Sequence, residues 1–221
     1  MDNNSIAVVI PAYNEEKTIG KVIKNIKTYV KIIVVVNDGS TDKTKYISLT
    51  NGAFVITLKK NLGVDNAIEQ GFKFLSKKRI KNIITFDADG QHKLSDFKKV
   101  LRLIKNPNLD FVITYRKNFP RFSEKLFSLY SRKRFKIYDL LCGMKAYKLK
   151  FYQDYGFYNT FNSIGSELAF YGIKKNYRYK SILITVNKRN DSSRLGNIFL
   201  GNFKILKALF NLIYRDILNI I

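Results

Sequence analysis

Five short runs in the first 115 residues, at 6–10, 32–36, 54–58, 83–86 and 111–115, contain nothing more polar than Thr or Tyr. A strand with one wet face alternates apolar and polar residues. A continuous apolar run needs cover on both faces, which is the situation of a mostly parallel sheet. The segments between the runs change period. Ile19, Ile23 and Ile26 recur at helical spacing behind Asn14, read as a cap. Residues 67–75 read as a second helix, a short one starts near Asp42, and Ser95 is placed to cap another reaching about residue 104. Strands alternating with helices predict an α/β domain with helices on both sheet faces. Further on, the spacing predicts a helix over 167–173, a strand over 181–186, a loop over 187–196 and a helix from 199 onward.

The chain has 221 residues, enough for one sizeable domain, and its 46% hydrophobic and 26% charged content excludes a mostly disordered polymer. With 40 Lys and Arg against 17 Asp and Glu, the net charge is +23. Such an excess calls for a polyanionic partner: nucleic acid, an anionic membrane face or a phosphorylated substrate. One cysteine, Cys142, excludes an internal disulfide, and with one histidine, His92, a zinc site built from His and Cys is excluded too. Cys142 lies among Leu140, Leu141 and Met144 and reads as a small buried hydrophobe. No leader-like segment or uncharged bilayer-length run is present, so the expected location is the cytoplasm.

Because acids are scarce, their positions carry information. Glu15, Asp38, Asp87 and Asp89 each fall just past a predicted strand, at the sheet edge where open α/β sheets bind ligands. Asp87 and Asp89 flank one small residue, so both carboxylates can approach a hard divalent cation such as Mg²⁺ or Mn²⁺. The competing reading is an ordinary Asp-Gly turn. In Asn37-Asp38-Gly39-Ser40-Thr41-Asp42, Ser40 or Thr41 reads as a helix cap, which leaves Asp38 to accept hydrogen bonds from a base or ribose.

Taken in order, Val9-Ile10-Pro11-Ala12-Tyr13-Asn14-Glu15-Glu16, Val36-Asn37-Asp38-Gly39-Ser40-Thr41-Asp42, Asn61-Leu62-Gly63 and Phe86-Asp87-Ala88-Asp89-Gly90-Gln91-His92 resemble the family 2 inverting glycosyltransferases. The likeness is greatest to the branch with dolichyl-phosphate mannose synthase and bacterial polyprenyl-phosphate sugar transferases. It continues more loosely through residues 139–143 and Glu167 to residues 187–194. The resemblance implies a GT-A fold, a Rossmann-like mostly parallel sheet, over residues 1–196. Residues 1–116 would form the nucleotide-sugar half and 117–196 the acceptor half, with an amphipathic helix over 197–221. It further implies a nucleotide-diphosphate sugar donor contacted by Pro11, Tyr13, Glu15, Asp38, Gly63, Asp87 and Arg116. Asp87, Asp89 and Gln91 match the metal positions. Asn37 departs from a pattern that often has a second acid there.

Transfer to a hydroxyl acceptor needs a general base, and Asp139 and Glu167 are the candidates; Asp89 would act in catalysis through the cation it helps to hold. A polyprenyl phosphate is already an anion and needs cations instead, here Arg132, Arg134, Arg189 and Arg194, with Ser193 beside them as a further acceptor contact. Cations outnumber acids around this segment, which favours the lipid phosphate over a hydroxyl of a cell-surface glycan. His92 reads as a solvated turn residue or a contact to the diphosphate. Gly63, Ala67 and Gly71 suit close helix packing, with Gly63 also admitting the donor.

The basic, aromatic stretch 116–138 has three readings: a single-strand nucleic-acid groove, a charged face over a buried aromatic stripe, or an acceptor loop on an anionic bilayer. From Phe199 the stripe Phe199, Phe203, Leu206, Phe210, Ile213, Ile217, Ile220 has Lys204, Lys207, Asn211 and Arg215 on another face. That helix suits peripheral attachment to the inner face of the cytoplasmic membrane, or packing on its own sheet, a membrane partner or a second copy. A nucleic-acid-binding protein whose acidic loops are plain turns is the alternative from another class.

Overall fold

The computed structural model describes residues 5–187 and 198–220. The strands are β1 (Ile6–Ala12), β2 (Ile32–Asn37), β3 (Phe54–Thr57), β4 (Asn82–Thr85), β5 (Phe111–Tyr115), β6 (Lys145–Lys148) and β7 (Tyr179–Leu183). The helices are α1 (Ile19–Lys27), α2 (Thr44–Thr50), α3 (Val64–Ser76), α4 (Leu94–Ile104), α5 (Phe122–Phe135), α6 (Leu149–Tyr155), α7 (Glu167–Lys174) and α8 (Ile198–Ile217). The strands form a sheet in the order β3-β2-β1-β4-β6-β5-β7, parallel throughout except for β6. Along β1, Ala7 and Val9 face one apolar layer, while Ile6, Val8 and Ile10 face the other. Both faces are covered, as continuous apolar strands require. Gly71 of α3 lies so close to Val9 that a Cβ would collide with its methyls, so this glycine serves helix–sheet packing.

Several local expectations are corrected. Neither Asn14 nor Ser95 caps a helix. Asn14 sits at φ +53° and its Oδ1 accepts the Thr41 N–H at 2.9 Å, while α1 starts at Ile19. Ser95 lies within the first turn of α4, whose N-cap position is Lys93. Ser40 and Thr41 do not cap α2 either. Ser40 Oγ accepts the Asn14 N–H at 3.0 Å, so these residues tie the loop after β2 to the loop after β1. Strand β6 has no strand signal of its own, because Lys-Ala-Tyr-Lys is short and half lysine; β7 lies about two residues earlier than expected.

Most of the stretch read as basic and aromatic is helix α5, with Phe127 and Phe135 buried and Arg132, Lys133 and Arg134 exposed. Helices α5 and α8 run parallel. Ser123 Oγ donates to Asn202 Oδ1 at 2.6 Å near their starts, and Arg134 Nε donates to Asp216 Oδ2 at 2.7 Å near their ends. Asp216 also accepts from Lys174 Nζ and the Tyr130 hydroxyl, each at 2.8 Å. Burial pushes its carboxyl up, but Arg134, Lys174 and Tyr130 outweigh that and hold it down at about 2. A depressed carboxylate contributes stability above its unfolded pKa and loses it as pH falls through the folded value. Asp216→Asn is expected to cost about 1.5–3 kcal/mol at neutral pH, the worth of hydrogen bonds to a charged group. Thermal melts of both proteins should converge between about pH 5 and pH 2.

The aromatic stripe of α8 does not pack on the sheet. Phe199, Phe203, Phe210 and Ile217 are 84%, 62%, 69% and 72% exposed, whereas Ile205, Ala208 and Leu212 are buried. At 100° per residue the helix has three sectors: the buried one, the aromatic one, and Lys204, Lys207 and Arg215 between them on one flank. The sequence pattern merged the last two boundaries into a single polar face opposite the stripe.

Candidate functional site

The C-terminal ends of β1, β2 and β4 lie side by side, with Ala12 opposite Asn37 and Phe86 N–H bonded to Val9 C=O. This register brings the loops carrying Glu15, Asp38, Asp87 and Asp89 to one edge. Pro11 and Tyr13 are half-buried at its rim. Glu15 is buried: its N–H donates to Thr44 Oγ1 at 2.7 Å, and its Oε2 accepts from the Thr18 hydroxyl at 2.9 Å.

Asp38 accepts the N–H groups of Leu62 and Gly63, both at 2.8 Å, one on each oxygen. Burial raises its pKa, and those two donors work against the rise. The Gly63 N–H reaches it from a φ of +91°, a conformation that favours glycine. Asp38 therefore shapes the 61–63 loop, and each oxygen keeps a further lone pair for a ligand.

Asp87 and Asp89 follow β4. Asp89 Oδ1 accepts the Gln91 N–H at 3.0 Å, which closes the turn, and Gln91 Nε2 donates to the Asn187 carbonyl at 2.8 Å. His92 is not solvated, as the sequence suggested. Its ring is buried near Phe86, its Nε2 is 2.8 Å from Asp87 Oδ2, and its backbone bridges to Val186. Nδ1 has no partner, so the proton of a neutral ring belongs on Nε2. Asp87 keeps 36% of its side-chain exposure. Desolvation raises its carboxyl, but His92, Lys145 and Arg116 hold it below the usual carboxylate range.

Arg116, at the end of β5, is fixed by Asp139. Nε donates to Oδ2 at 2.8 Å, and the Arg116 N–H donates to the same oxygen at 3.3 Å. Asp139 also accepts the Leu141 N–H at 2.9 Å and is buried. Burial would lower the Arg116 pKa, but Asp139 more than reverses this, and the guanidinium stays charged. Asp139 is thus a partner for Arg116, with both oxygens accepting hydrogen bonds. Glu167 is fully enclosed as well: the Tyr155 hydroxyl (2.7 Å), the Thr160 hydroxyl (2.6 Å) and the Thr160 N–H donate to it. Two acceptor candidates separate. Arg132 stacks 4.5 Å over Tyr138, which stacks on Tyr115 beside Arg116, so it stays near the site. Arg134 is committed to Asp216. Arg189, Ser193 and Arg194 lie outside the described residues.

Sequence reasoning overlooked Glu124 and Lys145, and gave Gly143 no role of its own within residues 139–143. Glu124 is buried in the first turn of α5, one oxygen 3.4 Å from Arg121 and Oε2 unpartnered. Its pKa is raised by burial against the pull of Arg116 and Arg121. Lys145 is fully buried and donates to the Cys142 carbonyl; burial lowers its pKa. Cys142 is buried as read, its thiol pushed up to about 11 by burial.

Among the described residues, no cluster of three or more His, Cys, Asp or Glu could cage a metal. The donor set nevertheless fits Mg²⁺ or Mn²⁺, which use one or two carboxylates and complete their shell with water and substrate phosphates. Asp87 and Asp89 would supply those carboxylates; Gln91 Nε2 is engaged with the Asn187 carbonyl, and its amide oxygen is the atom that would reach a cation.

Residues 7–210 match Glycosyl transferase family 2, and the chain belongs to that family. An uncharacterised Methanocaldococcus jannaschii protein is 36% identical over 199 residues, covering 79% of this chain and 86% of that protein. The UDP-N-acetylglucosamine–dolichyl-phosphate N-acetylglucosaminyltransferase of Methanococcus voltae is 34% identical over 139 residues, 55% of each chain. The human dolichyl-phosphate β-glucosyltransferase is 31% identical over 113 residues, 43% of this chain and 34% of that one. The matches thus span between a third and just over half of these two enzymes. In fold, the chain is similar to glucosyl-3-phosphoglycerate synthase from Mycobacterium tuberculosis, solved with Mn²⁺ and UDP-glucose. The TM-score is 0.75 at 18% identity, over 95% of this chain and 79% of that one. The fold is GT-A, and the nucleic-acid-binding alternative gives way to the family match.

Proposed function

We propose that this chain is an inverting glycosyltransferase that moves a sugar from a nucleotide-diphosphate sugar to a polyprenyl-phosphate-type lipid at the cytoplasmic face of a membrane. The observation carrying this reading is the Asp87–Asp89 turn with Arg116 held by Asp139 nearby. Tyr13, Asp38 and the 61–63 loop that Asp38 holds would contact base and ribose. Mg²⁺ or Mn²⁺ held by Asp87, Asp89 and the donor diphosphate would supply neutralisation of charge on the leaving group. Arg116 adds a preoriented cation for the same charge, because Asp139 fixes its guanidinium before the donor arrives.

The acceptor phosphate oxygen attacks the anomeric carbon from the face opposite the diphosphate. The sugar–diphosphate C–O bond breaks, and its electron pair leaves with the nucleoside diphosphate. No proton has to be removed from a phosphate anion. The engagement of Asp139 and Glu167 supports such an acceptor, since neither is placed as a base. Transfer to a glycan hydroxyl is the second reading; it would rest on Glu124, the buried carboxylate with an uncommitted oxygen. Relatives named for dolichyl-phosphate acceptors support the first. The exposed stripe of α8 and its flanking lysines support an anionic bilayer as the surface on which the lipid is met.

The test is a thermal-shift panel of UDP, GDP, CDP and TDP and their sugars, with and without Mn²⁺. A bound nucleotide at a hundred times its dissociation constant adds about 2.7 kcal/mol, hence a rise of roughly 5–10 °C. One metal-dependent shift would identify the base. No shift with any nucleotide, in folded protein, would overturn the donor site.

A further inference from the structure

The Asp87 carboxylate is held from two sides by residues with no role in the reaction just described. On one side is the buried His92 imidazole, its Nε2 2.8 Å from Oδ2. The ring is itself fixed, packed against Phe86 at a centroid distance of 5.3 Å and tied through its backbone to Val186. On the other side is Gly143. A Cβ there would lie well inside van der Waals distance of both Asp87 oxygens, so the carboxylate rests directly on the bare glycine Cα. The glycine cannot drift away, because the Thr85 hydroxyl donates to its carbonyl at 2.6 Å and Lys145 N–H donates back to Thr85 Oγ1 at 3.0 Å. Asp87 is therefore anchored where a short, solvent-facing acid would otherwise sample several rotamers.

We infer that His92 and Gly143 are positioning residues that hold the Asp87 carboxylate in the one orientation competent to bind a divalent cation with the donor diphosphate. This rests on the donor-site reading above. His92 fixes Oδ2 by its hydrogen bond, and Gly143 provides the space that the carboxylate fills. The Asp87 side chain keeps 36% of its exposure, so its remaining lone pairs stay available to a ligand. Partners that orient metal ligands in this way are typically worth about 10–100-fold in metal affinity.

The experiment titrates Mn²⁺ by calorimetry into wild type, Gly143→Ala, His92→Phe and His92→Gln, each saturated with the nucleoside diphosphate that the panel selects. Melting without ligand is recorded in parallel. Gly143→Ala and His92→Phe are expected to weaken Mn²⁺ binding by about 10–100-fold. His92→Gln, whose amide N–H can still donate to Asp87, should recover most of the loss. Nucleotide binding without Mn²⁺ should change little in any variant. If folded Gly143→Ala and His92→Phe bind Mn²⁺ like wild type, or if His92→Gln is as impaired as His92→Phe, the positioning role is overturned. Should Gly143→Ala fail to fold, the comparison of Phe with Gln at position 92 decides alone. Absence of nucleotide-dependent Mn²⁺ binding in wild type would instead overturn the donor site, and the positioning role with it.

Discussion

Asp89→Asn is expected to abolish the Mn²⁺-dependent part of nucleotide stabilisation and to lower sugar transfer by at least about a hundredfold. The reason is charge. A carboxylate that helps to hold a divalent cation against a diphosphate cannot be replaced by a neutral amide without losing several kcal/mol of stabilisation of the leaving group. The fold should survive, because Asn keeps a carbonyl oxygen able to accept the Gln91 N–H that closes the turn. Melting temperature without ligand separates the two effects: unchanged in the variant, it assigns the loss to the site. Full activity in Asp89→Asn would sink the metal-assisted reading, whatever the nucleotide panel shows.

The second large effect concerns the membrane. Phe203→Glu with Phe210→Glu is expected to reduce co-sedimentation with vesicles containing anionic lipid by a hundredfold or more. Each buried Phe is worth about 1.5–3 kcal/mol, and each Glu adds repulsion from the lipid surface. Both phenylalanines are exposed, so melting should be unaffected. Neutral vesicles should bind wild type more weakly than anionic ones, since Lys204 and Lys207 lose their counter-charge. If wild type ignores vesicles and is dimeric by light scattering, and the double variant is monomeric, the stripe is an interface between two copies instead. The donor panel is independent of this outcome, since Phe203 and Phe210 are exposed on α8 and belong to none of the loops at the acidic sheet edge.

Much of the first half of the chain was legible from residues alone. Strands β1, β2 and β5 follow from continuous apolar runs, because such a run has no stable place except between two covering layers. That Glu15, Asp38, Asp87 and Asp89 share an edge follows from the parallel direction of those strands. Legibility fell in the second half. Strand β6 runs antiparallel and is half lysine, and α5 mixes Arg, Lys and aromatics with little periodicity, so neither gave a clean local signal. Pairing with β4 and β5 is what makes Lys-Ala-Tyr-Lys a strand, and burial beneath the site is what makes Lys145 structural.

Residue pattern by itself determined the layered α/β class, the sheet edge where Glu15, Asp38, Asp87 and Asp89 gather and the presence of an amphipathic terminal helix, while the ordered motifs carried the family resemblance. These depend on local period and on residue type, which the chain carries in its order. Only the tertiary structure decided which carboxylates are open and which are spent. Asp139 is matched to Arg116 across 23 positions, Asp38 to Gly63 across 25, and Asp87 to His92 across 5. It also decided that the aromatic side of α8 faces outward. The core took the Ile205, Ala208 and Leu212 side, where the Asp216 ion pair with Arg134 ties α8 to α5. A hydrogen bond between distant residues, or a choice between two apolar faces, depends on which surfaces the fold brings together, and no local pattern encodes that.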